Sequence, residues 1–148
     1  MGLDMYLYAD RFVSEYFDKD DKERAAKIQE LFPEFADAEI SYVRAQVGYW
    51  RKANAIHKWF VDNVQDGEDD CGSYYVSREK LQELLDIIES ILSNKGKAKD
   101  ALPTASGFFF GSTNIDEYYF QDLEQTKAIL TKALALNPNL SLHYQSSW

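Results

Sequence analysis

The sequence predicts an α+β fold: a small, mainly antiparallel sheet of about four strands packed with about four helices. Three observations predict it. Apolar residues recur with period two in some segments and with helical spacing in others. The strand-like segments are short and Tyr-rich, whereas parallel central strands read as longer Val/Ile runs. Aromatic residues reach 15%, almost all Tyr and Phe, which pack well on a pleated surface. At 148 residues the chain is long enough for one core, and we expect a single domain over 1–148.

The elements follow in order β-α-β-α-β-α-(loop)-α-β. In "LDMYLYADRFV", Leu3, Met5 and Leu7 alternate with Asp4, Tyr6 and Tyr8, which predicts a strand with a second, aromatic face. In "DKDDKERAAKIQELFPEF", Asp20 and Glu23 have the spacing of a helix N-cap with its reciprocal partner. Ala25, Ile28, Phe32 and Phe35 then follow helical spacing, and Pro33 should bend or end that helix. A second strand is expected from about Glu39 to Val47, stopped by Gly48.

"RKANAIHKWFVDNVQ" reads as a helix. Ala53, Ile56, Phe60 and Val64 fall on one face, with Arg51, Asn54, Lys58, Asp62 and Gln65 opposite. "SYYVS" is a short strand, and Ser77 caps the next helix. That helix carries the strongest periodic signal, Leu81, Leu84, Leu85, Ile88, Ile91 and Leu92. A basic loop follows, with Lys95, Lys97 and Lys99. Thr113 or Asn114 is expected to cap the last helix, whose inner face is Tyr119, Leu123, Thr126, Leu130 and Ala133. "NPN" ends it, and "LSLHYQSSW" alternates as a terminal strand that should share a sheet with the first.

A formal net charge of -9 argues against a nucleic-acid partner or an anionic membrane surface, both of which need a basic face. A basic protein partner suits it better. No apolar run approaches the roughly 20 residues of a membrane span. The N-terminus has no signal-peptide character, and Tyr6 breaks the myristoylation pattern. With one cysteine, Cys71, no internal disulfide is possible.

The candidate constellations each have a plain structural alternative. The loop "DGEDDCG" holds Asp66, Glu68, Asp69 and Asp70, but its spacing is not that of a calcium loop, so no metal is expected. His57 could pair with Cys71, yet these four acids and Asp62 would raise the thiol's pKa, the wrong direction for a nucleophile. No phosphate-loop pattern occurs and no cofactor is expected. Trp50 and Trp59 fall beside the centre of the predicted helix face. They either cap the core edges or frame a surface with Arg51 and Lys58. In "LPTASGFFFGST", an extended chain would turn Leu102, Phe108 and Phe110 inward and Phe109 outward, towards a partner, a ligand or a second copy in a homodimer.

Four stretches, "MGLDMYL", "YWRKANAIHKWFV", "DDCGSYYVS" with its leucine-rich helix, and "LPTASGFFFGST", together resemble a family of small uncharacterised proteins of tailed bacteriophages and prophages. The resemblance implies a phage product acting in the host bacterial cytoplasm, where such accessory proteins redirect or block host machinery. It carries no catalytic residues with it. The leading expectation is therefore a non-enzymatic protein that occupies or inhibits a host protein in takeover or counter-defence. The alternatives are a nucleotide or small-molecule sponge, with a pocket between the Trp–Arg helix and the Phe loop, and a small metal-dependent hydrolase using Asp66 to Asp70. The residues expected to bind are Trp50, Arg51, His57, Lys58, Trp59, Asp69, Asp70 and Phe109.

Overall fold

In the computed structural model, which describes residues 2–148, four antiparallel strands form one sheet in the order β2-β1-β4-β3. The strands are β1 (Asp4–Phe12), β2 (Tyr42–Arg51), β3 (Ser73–Val76) and β4 (Ser141–Ser147). The helices are α1 (Asp21–Leu31), α2 (Asn54–Val64), α3 (Arg78–Ser93), the short α4 (Ala98–Ala101) and α5 (Glu117–Leu134). The α+β expectation holds, and the two terminal strands pair directly, Leu7 opposite Tyr144. Among the described residues, no helix is long and apolar enough to cross a membrane.

One face of the sheet is covered. Leu3, Met5, Leu7 and Ala9 of β1 and its approach point inward with Trp50, Val76, Leu142 and Tyr144. They meet Ile56 and Phe60 of α2, Leu81, Leu84, Leu85, Ile88 and Ile91 of α3, and Leu123 and Leu130 of α5. Ser77 caps α3 as expected, accepting from the Lys80 N–H at 3.2 Å. Asp116, and not Thr113 or Asn114, caps α5 by accepting from the Tyr119 N–H. The cap falls later because the chain stays extended until Asp116 (φ -128°, ψ -167°).

Gly48 does not end β2, which runs on to Arg51. A Cβ at Gly48 would sit 2.5 Å from Ile129 Cγ2 and 3.2 Å from Leu7 Cβ, so this glycine lets α5 lie directly on the strand. A bulge at the same point shifts the register between Leu7 and Tyr8, adding Val47 to β2. Consequently Trp50 and Arg51, expected to lead into a helix, belong to a strand.

The segment between β1 and β2 is an arm that adds almost nothing to the core. Asp21 is the only buried residue of α1. Asp20 makes no side-chain cap. Instead Asp21 accepts from the Ser14 N–H at 2.9 Å and from Arg11 and Arg24 at 2.8 Å each, tying the arm to the end of β1. Those donors, Arg24 first, hold the Asp21 carboxyl at about 2. Phe32 and Phe35 continue the helical spacing of Ala25 and Ile28 across Pro33, where α1 has already ended at Leu31. Both are about half exposed, because no second layer lies beneath this arm.

Candidate functional site

The residues expected to bind divide between the core and the surface. Trp50, His57 and Trp59 are buried. Trp50 Nε1 donates to Thr126 Oγ1 at 2.8 Å. Both tryptophans are therefore structural, since the covered sheet face and α2 enclose them. Lys58 is spent on Asp62 one turn on, at 2.5 Å. Asp70 accepts from the Gly72 N–H and the Tyr74 hydroxyl, which lower its pKa in that order. Arg51 is exposed, 3.5 Å from Asp4.

His57 does not pair with Cys71. Its Nδ1 lies 2.7 Å from the Tyr144 hydroxyl and its Nε2 3.0 Å from Asp69 Oδ2, so both ring nitrogens are occupied. Asp69 Oδ1 also accepts from Trp148 Nε1. The Tyr144 ring stacks on Phe60 at 3.9 Å, and burial pushes its phenol well above the ordinary range. With Tyr144 and His57 sealed from solvent, the trio joins α2, the acidic loop and β4 as a packing network. Among the described residues, no three His, Cys, Asp or Glu side chains converge where a metal could be held.

The Phe loop departs from the expected alternation. Phe108 is the outward ring, 94% exposed, while Phe109 and Phe110 are half-buried. The segment is a turn, with the Phe110 N–H on the Gly107 carbonyl, so period-two geometry does not apply. A Cβ at Gly107 would strike the Phe110 ring at 2.6 Å, and Gly111 has φ +81°. Phe110 packs edge-on against His57. The loop's anchor is Asn54, expected on the polar side of its helix but buried. Its Nδ2 donates to the Phe110 and Ser112 carbonyls and its Oδ1 accepts from the Ala105 N–H. A helical wheel could not show this, because the loop that covers Asn54 lies about 50 residues on.

The same loop, the start of α2 and the first turns of α5 enclose a pocket of about 320 Å³, with Arg51, Lys52, Tyr118 and Asp122 on its walls. Burial, and then the neighbouring Asp116, push the Asp122 carboxyl up to about 6. The folded chain keeps this proton to a higher pH than the unfolded chain, whose carboxyl ionises at 3.8. Asp122 therefore subtracts stability as pH rises through that window. Asp122→Asn should melt higher than the parent at about pH 8, with the gain gone at about pH 4. Equal shifts at both values would show that the carboxylate is already solvated.

The sheet face away from the helices is uncovered. Tyr6 and Tyr8 stack at 5.7 Å, and Tyr6 meets Tyr49 at 5.5 Å. Arg44 then grips Asp10 through two bonds of 2.7 and 2.8 Å and lies over the Tyr8 ring. That bidentate pair depresses the Asp10 pKa, with burial opposing it. Beyond the pair, Phe12 contacts both Phe17 and Tyr42. An aromatic strip thus runs the length of β1 and β2 and onto the arm. Sequence reasoning singled out none of these as binding residues, although the even-numbered aromatics of β1 were its visible signal.

β2 is an outer strand. Gln125 Nε2 closes its Tyr49 carbonyl at 2.9 Å, but Tyr42 to Gln46 are exposed. Fold and surface together define a two-layer α+β protein with helices on one sheet face and an open aromatic face on the other. No protein-family model, no curated protein and no solved structure matches the chain.

Proposed function

We propose that the chain is a non-enzymatic binding protein that occupies a host protein, using the aromatic strip and the adjoining edge of β2. The observation that carries this reading is the exposure of Phe12, Phe17 and Tyr42, with Phe12 touching both of the others, beside the exposed half of that strand. A monomer rarely leaves large apolar rings grouped at its surface without a partner. An exposed strand edge supplies backbone groups to which an extended partner segment can add. The phage origin and the host cytoplasm rest on the resemblance in sequence. The partnered state of His57, Asp69 and Asp70 supports binding over catalysis.

The test compares the parent chain with a Phe12→Ala, Phe17→Ala, Tyr42→Ala triple variant in affinity capture from bacterial lysate. We expect one host protein to be retained by the parent and lost by the variant, with both chains equally folded. Equal retention, or none by the parent, refutes the reading. The pocket beside Arg51 and Asp122 favours a second reading, a small-molecule sponge, since it forms where the start of α2 meets the Phe loop. Native mass spectrometry of chain purified from lysate should then show a retained mass that an Arg51→Ala variant loses.

A further inference from the structure

We infer that the arm is shaped for a basic, amphipathic protein segment, with Glu30, Glu34, Asp37 and Glu39 meeting its Lys and Arg residues and Leu31, Phe32 and Phe35 its apolar side. This rests on the reading that the chain binds a protein, and it names the partner's chemistry. Residues 13–41 hold nine Asp and Glu against four Lys and Arg, so this one-fifth of the chain carries -5 of the net -9. Two of the four bases are already committed, Arg24 to Asp18 and Asp21 and Lys27 to Glu23.

From Ile28 to Val43 there is no Lys or Arg at all. None of the four acids in that run takes part in an ion pair among the described residues, whereas Asp18 and Asp21 at the arm's root do. Interleaved with them are Leu31, 74% exposed, and Phe32 and Phe35, whose rings lie 6.5 Å apart. Carboxylates without partners beside uncovered rings complement cations beside apolar side chains.

Charge selects among the occupants. A second copy seated on the same patch would bring eight carboxylates together in an isologous contact. Nucleic acid would be repelled outright.

The probe is a synthetic amphipathic peptide of Lys and Leu, roughly 18 residues long, titrated against the intact chain by fluorescence anisotropy. The matched Glu/Leu peptide should not bind. Two arm variants, Glu34→Lys with Asp37→Lys, and Phe32→Ala with Phe35→Ala, should each weaken the Lys/Leu peptide by about tenfold or more. Glu79→Lys with Glu83→Lys, the same charge change on α3, should leave it within about threefold. If both charge variants weaken binding equally, attraction is diffuse and the arm is not the site. If sedimentation shows a dimer of the parent that Phe32→Ala with Phe35→Ala dissolves, the occupant is a second copy. If no Lys/Leu peptide binds while arm variants still lose a host protein in lysate capture, the basic partner is refuted and protein binding stands. If neither occurs, both readings fall.

Discussion

Replacing Trp50 with alanine should destabilise the chain by roughly 3–5 kcal/mol, the largest single loss we expect with that at Phe60. The indole is fully buried, lies opposite Met5 in the sheet and contacts Phe60 at 6.2 Å. Its Nε1 donates to Thr126 Oγ1, which itself donates to the Asp122 carbonyl at 2.6 Å. Alanine would therefore open a cavity where β2, α2 and α5 meet. Trp50→Phe should cost less, because it refills much of the volume and Thr126 keeps its bond to Asp122. Denaturant titration checks both. A loss under about 1 kcal/mol for Trp50→Ala would mean that the indole lies at a surface after all.

Phe60→Ala should be nearly as damaging, again roughly 3–5 kcal/mol. Its ring lies flat on Tyr144 at 3.9 Å and edge-on to Trp59 at 5.3 Å. Removing it frees the ring whose hydroxyl meets His57. The companion variant Tyr144→Phe keeps the stack and leaves His57 Nδ1 without a partner. That should cost about 1–3 kcal/mol, the desolvation of one unpaired buried group. A near-neutral Tyr144→Phe would show that water reaches His57, contrary to its burial. Urea melts of the three chains, compared in a cycle with His57→Phe, separate the stack from the hydrogen bond.

The spacing of apolar residues makes much of the architecture legible. The inner faces of α3 and α5 appear in the sequence as they are packed, since helical spacing maps directly onto one buried side. The alternation in β1 and β4 was equally direct, and both termini entered one sheet. These elements are amphipathic by themselves, so local pattern and tertiary burial agree.

What misled the reading has a common cause. Gly48 resembles a strand stop, yet it is the point where Ile129 presses on β2, a contact 81 residues away in sequence. Asn54 looks polar-facing, yet a distant loop buries it and takes both of its N–H donors and its carbonyl oxygen. Phe32 and Phe35 keep helical spacing, yet nothing is folded beneath them. The candidate site suffered most. For Trp50 and Trp59 the sequence leaves core edge and surface both open, and the fold makes them core, while the exposed strip of Phe12, Phe17 and Tyr42 carries no binding pattern in the sequence.

The sequence by itself determined the order of the four strands and four longer helices, the inner faces of α3 and α5, and an acidic chain rich in Tyr and Phe. Those properties depend on near neighbours along the chain, separated by two to four residues. Only the tertiary structure decided which aromatic rings are core and which remain open. A ring has the same preference for burial wherever it stands, so its exposure depends on whether another layer reaches it. Helices cover one side of the sheet here and leave β1, β2 and the arm uncovered on the other. That asymmetry leaves the aromatic strip open, and it arises from contacts between residues far apart in the chain.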